Sequence, residues 1–413
     1  MGCCLLGMHS FVSAKPLKYF DLVSFNNIHK FVQNLPKDKR PVVFCDFDGT
    51  IYPLFYPQKP DKLIKQKEFI LMTSKLHDAN IPFVVLSARA YNQFYPTNTE
   101  NRQLNIVALN GNEMSLNLPN NDKVQNFIEK YENDEDFSVH KKVAGGFIYL
   151  QVKPKPDKNF LRCGKMIKSS FEPLGFTVED KGITVALRFR KLFNKIKENQ
   201  ELGNILTLGE VPSSIFNEIK EFYKSFESEN VKPEIKIINS ISQEAIELNS
   251  EALLEYVIKK FNNIYKYELG YDFTNYKGAY FKLTQKQKRT YEIHLRDFYK
   301  SNKGNILKEI FELYNGDNKA YPIFIGDSLG EKDDEPAIKK VEELKGFGIG
   351  ILCRSEIELN SFRQYGKKST LPEFSKRLEI ETSCGALFES FEQTIPFLGI
   401  LSDNYVNFLN VYR

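Results

Sequence analysis

"VVFCDFDGT", residues 42–50, sets an unbroken apolar run against two aspartates one residue apart, Asp46 and Asp48. A Val/Phe run that stops abruptly at a carboxylate reads as a strand buried on both faces, as in a parallel sheet. Carboxylates beside such a strand are costly unless cations or hydrogen-bond donors meet them, so the stretch demands partners from elsewhere in the chain. Other runs end in the same manner: "IPFVVL" (81–86) at Ser87, "NIVAL" (105–109) at Asn110, and "YPIFI" (321–325) at Gly326-Asp327. "GFGIGILC" (346–353) extends the set. Between the first two strands, "KLIKQKEFILMTSKLHDAN" (62–80) carries Leu63, Ile64, Phe69, Ile70, Met72 and Leu76 and predicts a crossover helix. "KGNILKEIFELY" (303–314) predicts a second helix, leading into the 321 strand. The expected class is therefore α/β, a Rossmann-like parallel sheet. In open sheets of this kind ligands sit outside the carboxyl ends of the strands, which is where the polar residues fall.

The parallel pattern lapses between about residues 116 and 300, where the chain turns rich in Lys, Asn and Glu. Strand-like pieces remain ("GGFIYLQVKP", 145–154; "GITVALRFR", 182–190), and "NSEALLEYVIKKFNNIYKY" (249–267) predicts a helix capped by Ser250. The expected organisation is an N-terminal segment (1–37) with a helix, and a discontinuous core (38–115 and 301–413). A large α/β insertion (116–300) interrupts that core and carries an extra helical part over about 192–300.

At 413 residues, 42% apolar and 13% aromatic, the chain has ample material for such a core. Its formal charge of +4 comes from basic and acidic residues interspersed throughout, which argues against nucleic acid as a partner. The six cysteines (Cys3, Cys4, Cys45, Cys163, Cys353, Cys384) form no disulfide framework and point to a reducing, cytoplasmic setting. Cys45 reads as a packed thiol. The five histidines are too scattered for a zinc cluster or a His-based triad. Gly2 followed by Cys3 and Cys4 offers a dual-acylation site that would attach the protein to a membrane face, although Leu6 stands where myristoylation usually has Ser or Thr. A free end is the alternative. No stretch elsewhere is long enough to span a bilayer.

The acid pair gains a chemical meaning if Asp46 is a nucleophile. In-line attack on phosphorus needs an anion facing the phosphate and a proton donor for the leaving oxygen, and Asp46 and Asp48 at one strand end suit both roles. Two anions facing a phosphate call for a cation with oxygen ligands, for which Mg²⁺ is suited and Asp327 offers a further carboxylate. Gly49-Thr50 turns the chain away, Ser87 can hydrogen-bond a phosphoryl oxygen, and Lys303 can neutralise developing charge.

"DFDGT" (46–50), Ser87 in "LSAR", Lys303 in "NKGNIL" and "IGDSLGEKDDE" (325–335), in that order, resemble the four signatures of the haloacid dehalogenase phosphatases. The resemblance implies a Rossmann-like core, Mg²⁺ and an aspartyl-phosphate intermediate. It makes Asp46 nucleophile and metal ligand, and Asp48 general acid/base and a ligand through its carbonyl. It makes Ser87 and Lys303 phosphoryl-binding residues, Asp327 a ligand, and either Asp333 or Asp334 a further one. Gly49, Thr50, Arg89 and Asn110 line the expected substrate site. Within the insertion, "GFTVEDKGITVALRFR" (175–190) resembles the sugar-binding stretch of the trehalose-phosphate phosphatases, as "ALNGNEM" (108–114) resembles their core-to-cap segment. That implies substrate contacts from Glu179, Lys181, Arg188 and Arg190, with Arg188-Phe189-Arg190 where the subgroup usually has His-Tyr-Arg. The expected activity is hydrolysis of a sugar phosphate such as trehalose 6-phosphate. Phosphoprotein, phosphoinositide or another phosphorylated metabolite at a membrane face, and a catalytically silent binding protein of the same fold, are the alternatives.

Overall fold

The computed structural model describes residues 14–53, 61–87, 89, 91–94, 104–135, 137–155, 165, 168–169, 177–180, 184–188, 235–237, 246–248, 282–286, 290–294, 303–316, 319–330, 334–369 and 371–411. They fall into two compact units: one holds the described residues up to Pro154 and from Lys303 onward, the other those between Lys155 and Tyr299.

In chain order the first unit opens with β1 (Lys15–Pro16), β2 (Leu22–Val23), helix α1 (Ile28–Gln33) and β3 (Arg40–Cys45). It continues through α2 (Asp61–Asp78), β4 (Phe83–Leu86), β5 (Asn105–Ala108) and β6 (Glu113–Pro119). Helix α3 (Asp122–Glu132) and the hairpin β7 (Phe137–Ala144) and β8 (Phe147–Pro154) complete this first passage. The second unit carries β9 (Thr177–Asp180), β10 (Thr184–Arg188), β11 (Ile235–Ile237), β12 (Ile246–Leu248), β13 (Lys282–Lys286) and β14 (Thr290–His294). The chain then returns to the first unit with α4 (Lys303–Tyr314), β15 (Ala320–Gly326), α5 (Glu335–Glu343) and β16 (Phe347–Cys353). It ends with α6 (Glu356–Tyr365), α7 (Pro372–Leu378), β17 (Glu381–Thr382), β18 (Ala386–Ser390) and α8 (Thr394–Val411).

A ten-stranded sheet in the order β2-β18-β16-β15-β3-β4-β5-β6-β8-β7 forms the first unit's centre. From β2 to β5 all neighbours are parallel; β6, β8 and β7 extend the sheet antiparallel. The fold is therefore α/β with a largely parallel sheet. β3 and β15 lie at its middle because their sequences, RPVVFC and AYPIFIG, are apolar on both faces and almost wholly buried. From β3 the chain steps through α2 to β4 in one direction, and from β15 through α5 to β16 in the other. Right-handed crossovers leaving in opposite directions place α2 and α5 on opposite faces. They also leave a crevice between the ends of β3 and β15, the switch point at which doubly wound sheets bind ligands. Helix α4 packs on α5, and α8 packs on α1 and α2.

Two boundaries differ from the sequence reading. Residues 116–154 belong to the first unit and its sheet, not to the insertion. The polar composition of this stretch hid a period of two: Met114, Leu116 and Leu118 on β6, and Ile148, Leu150 and Val152 on β8, are fully buried, while Asn117 on β6 and Phe147, Tyr149 and Gln151 on β8 are not. Helix α3 buries Val124, Phe127, Ile128 and Tyr131 at helical spacing, and Asn121 caps it by accepting from Val124 N–H at 3.0 Å. Nor is the N-terminal segment separate from Lys15 onward. β2 pairs with β18, and the Phe31 ring of α1 meets those of Phe347, Phe388 and Phe397 at 5.3, 5.9 and 6.0 Å. Gly2, Cys3 and Cys4 lie outside the described residues.

The second unit contains a four-stranded antiparallel sheet, β13-β14-β10-β9, and a separate pair, β11-β12. Its described residues beyond 192 are strands; the helix expected over 249–267 lies outside the described residues. Among the described residues no helix is long and apolar enough to cross a membrane.

Phe44, fully buried in β3, tests the core: Phe44→Ala is expected to lower unfolding free energy by about 3–5 kcal/mol, read from the urea midpoint at unchanged slope.

Candidate active site

The register of the parallel strands determines what meets at the crevice. Cys45 is opposite Ile325 on β15 and Val85 on β4. Asp46 therefore follows β3 level with Gly326 and Leu86, and Asp327 and Ser87 stand one step beyond it on the flanking strands. Asp46 is tied to β15 by its own N–H, which donates to Ile325 O at 2.8 Å. Side-chain oxygens of Asp46, Asp327 and Asp334 all lie within 4.8 Å of one another, and all three residues are buried.

Lys303, the first residue of α4 and 1% exposed, brings its ammonium between two of them. Nζ donates to Asp46 Oδ1 at 2.7 Å and to Asp334 Oδ1 at 2.6 Å. The other Asp334 oxygen accepts from the N–H groups of Asp327 (3.0 Å) and Ser328 (2.8 Å). Asp334 thus closes the loop that follows β15 while facing the cluster. Its N–H partners and Lys303 leave Asp327 the least compensated of the three. Burial, and after it the neighbouring Asp334, push the Asp327 carboxyl up to about 7, against the pull of Arg377, Arg354 and Lys303.

Close packing at this point depends on Gly49. Its φ of +77° suits glycine, and a Cβ there would lie 2.6 Å from Asp327 Oδ2. The absent side chain makes room for a carboxylate of this chain. Thr50, fully buried, places Oγ1 3.5 Å from Asp327 Oδ1. Between the two acids, Phe47 anchors the turn, its ring 4.8 Å from that of Tyr52 and 5.0 Å from that of Phe94.

Asp48 is not part of the cluster. Its carboxylate forms a two-pronged ion pair with Arg89, both contacts at 2.5 Å, and the Arg89 guanidinium carbon lies 5.6 Å from the centre of the Phe47 ring. Ser87 is buried at the end of β4, and its Oγ accepts from Arg89 N–H at 3.2 Å. The backbone of Asn110 lies in a short turn after β5, beside Leu109, whose φ of +48° is in the left-handed region. Glu179 and Arg188 lie on neighbouring antiparallel strands of the second unit, Glu179 opposite Ala186 and Arg188 opposite Thr177. Lys181, Arg190 and Asp333 lie outside the described residues. Cys45 is wholly buried, and burial pushes its thiol well up, in keeping with a packed residue.

Three contributors gave no sequence signal. Glu335 accepts from Gly330 N–H, Thr382 Oγ1, Ser383 N–H and Ser383 Oγ at 2.7–3.0 Å, bracing the loop between Asp327 and Asp334. Burial pushes its carboxyl up, but these hydrogen bonds outweigh that and hold it below the usual range. Arg354, after β16, pairs with Glu358, its Nε 3.2 Å from Oε1. Arg377 is buried beneath Asp327.

A cluster of three buried carboxylates with one shared ammonium is short of positive charge. Its hard oxygen donors fit a divalent cation of the Mg²⁺ type, to which Asp46, Asp327 and Asp334 offer ligand atoms.

No protein-family model and no curated protein matches the sequence. Among solved structures, the chain is similar to the C-terminal domain of C. albicans trehalose-6-phosphate phosphatase (12% identity, 93% of this chain and 98% of that one, TM-score 0.41). It is similar to the Aspergillus fumigatus trehalose-6-phosphate phosphatase (13% identity, 93% and 99%, TM-score 0.40). It is also similar to a haloacid dehalogenase-like hydrolase from Bacteroides thetaiotaomicron (11% identity, 88% and 98%, TM-score 0.35). Identities and TM-scores this low assign neither an activity nor a substrate to this chain.

The raised Asp327 carboxyl carries a pH prediction. An unfolded Asp titrates near 3.9, and the folded group near 7, so between these values the folded state holds more protons. Stability of the metal-free protein should therefore fall as pH rises from about 4 to about 7. Asp327→Asn should flatten that decline, as read by thermal unfolding in chelator across the range.

Proposed function

We propose that the chain is a divalent-metal-dependent phosphomonoester hydrolase that works through an aspartyl-phosphate on Asp46. The observation that carries this reading is the convergence, at the ends of β3 and β15, of Asp46, Asp327, Asp334 and Lys303, with the last paired to two of the carboxylates. Asp46, Asp327 and Asp334 would hold the ion, Mg²⁺ being the expected one, with the Asp48 carbonyl as a further donor. When bound it supplies charge neutralisation for the phosphoryl oxygens.

Lys303 Nζ donates to Asp46 Oδ1 at 2.7 Å and so orients the carboxylate that would be the nucleophile. An Asp46 carboxylate oxygen attacks phosphorus, the bond from phosphorus to the ester oxygen breaks, and the leaving alkoxide takes a proton from Asp48. In the second step the Asp48 carboxylate accepts a proton from water as the water oxygen attacks phosphorus, releasing inorganic phosphate and free Asp46. Ser87, one step along the neighbouring strand, would bind a phosphoryl oxygen.

The Arg89 pair fits this sequence of events. A bidentate guanidinium occupies both carboxylate oxygens of Asp48, so the acid must be let go before it can hand a proton to the leaving oxygen. A phosphoryl group offers Arg89 a competing anion of matching geometry, so its arrival would release Asp48 to carry the proton. Ahead of substrate, the pair keeps the acid in place.

For the substrate, the stretch 175–190 supports a sugar phosphate, with trehalose 6-phosphate the leading candidate and Glu179, Lys181, Arg188 and Arg190 as sugar contacts.

Asp46→Asn should lower kcat on a generic aryl phosphate with Mg²⁺ by at least about a thousandfold while leaving the circular dichroism spectrum unchanged. Activity retained with the same metal dependence would remove Asp46 from its role. On a panel of sugar phosphates, phosphopeptides and phosphoinositides, kcat/KM should be highest for a sugar phosphate, with Glu179→Ala raising KM for it. Preference for another class would redirect the substrate assignment without touching the chemistry. Arg89→Met should raise KM for all phosphomonoesters by roughly tenfold or more.

A further inference from the structure

The main chain of Asp327 is held from both sides. Its N–H donates to Asp334 Oδ2 at 3.0 Å; its carbonyl accepts from Leu329 N–H at 2.9 Å and from the guanidinium of Arg377. Arg377 lies on α7 and is 2% exposed, a depth at which arginine is seldom found unless it is paired. The same guanidinium donates through Nε to Leu352 O at 2.8 Å and through an Nη to Ile351 O at 2.6 Å. Those carbonyls belong to the part of β16 that runs beyond its last pairing with β15, Gly350 opposite Gly326. There β15 has already turned off at Asp327, and the Ile351 and Leu352 carbonyls accept from Arg377 while β16 goes on pairing with β18 on its other side. Arg377 supplies donors and, with the same planar group, clamps the departing strand to the continuing one.

We propose that Arg377 is a positioning residue for the metal site: by pinning the Asp327 carbonyl to the end of β16, it keeps the Asp327 carboxylate within ligand distance of Asp46 and Asp334. The inference rests on reading the carboxylate cluster as a metal site. It concerns a side chain that offers the ion no ligand atom and acts through the backbone of one that does. Lysine, with a compact ammonium in place of a fork, cannot bridge three carbonyls in one plane. The conservative variant should therefore restore charge but only part of the geometry.

The test uses the full chain and two readouts: Mn²⁺ binding followed by electron paramagnetic resonance, and the Mg²⁺ concentration giving half-maximal hydrolysis of an aryl phosphate. Arg377→Gln should weaken Mn²⁺ binding by about 10- to 100-fold, the range typical of outer-shell partners, and raise the Mg²⁺ requirement in step. The kcat at saturating Mg²⁺ should change far less. Arg377→Lys should fall between the two, and stands in for Arg377→Gln if that variant does not fold. Leu378→Ala, on the same helix and also buried, should lower Tm while leaving Mn²⁺ affinity as it was. Wild-type Mn²⁺ affinity in the folded Arg377 variants, with Asp327→Asn abolishing binding, would overturn the role of Arg377 and leave the metal site standing. Absence of Mn²⁺ binding by the unsubstituted protein would overturn both.

Discussion

Lys303 carries a single positive charge into a place where three carboxylates meet, and the rest of the architecture follows from satisfying that charge. An ammonium at 1% exposure is tolerable only with anions in direct contact, and Asp46 and Asp334 provide them. The three residues come from the end of β3, the start of α4 and the N-terminus of α5. Folding must therefore bring together segments more than 250 positions apart, since Lys303 and Asp46 are separated by 257. The ion pair is less a source of net stability than a specification of register: a one-residue slip of β3 against β15 would turn Asp46 to the other face and leave the buried lysine with Asp334 alone.

The switch point explains why the acids end up there. β3 and β15 are buried on both faces and lie at the middle of the sheet, and their ends are the place where two chain directions part. Polar residues at those ends avoid the penalty of a buried strand interior while facing a crevice shielded from bulk water. Shielding in turn strengthens each interaction inside it, and lifts Asp327 toward neutrality unless a cation arrives. The same physical condition that makes the cluster strained on its own makes it receptive to a divalent ion. Glu335 and Arg377 hold the surrounding backbone so that the strain is not relieved by moving the acids apart.

Legibility in the sequence followed how local each signal was. The five parallel strands from β16 to β5 were readable because apolar residues on both faces leave an unbroken run, and Asp46, Ser87 and Asp327 stand at the ends of such runs; β2 and β18 were not read. The extent of the sheet was less readable. In β6 and β8, Ser115, Asn117, Tyr149 and Gln151 alternate with Leu116, Ile148, Leu150 and Val152, so the runs are broken and the average composition resembles that of an insertion. Arg377 was not readable at all: in "PEFSKRL" it looks like one more charged residue on a short surface helix, and its burial is decided by carbonyls of Ile351 and Leu352 on a distant strand. The sequence left Asp333 and Asp334 as alternatives; Asp334 faces the cluster and accepts from the N–H groups of Asp327 and Ser328, while Asp333 lies outside the described residues.

The second unit shows how a long excursion can be accommodated. β10 ends at Arg188, and the next strand of the same sheet, β14, pairs with it in full register from Thr290 to His294. Roughly a hundred positions therefore lie between two hydrogen-bonded neighbours. Closure entropy grows only logarithmically with loop length, so an excursion of that size costs little more than a short one, provided the closing strands pair well. β10 is flanked on both sides, by β9 and by β14, and β13 adds a further strand. β13 itself comes from the intervening segment, whereas the pairing of β9 with β10 draws on none of it. If those two strands bear the sugar contacts, their spacing is set by the ladder between Glu179 and Ala186, which stays the same whatever length of chain separates β10 from β14.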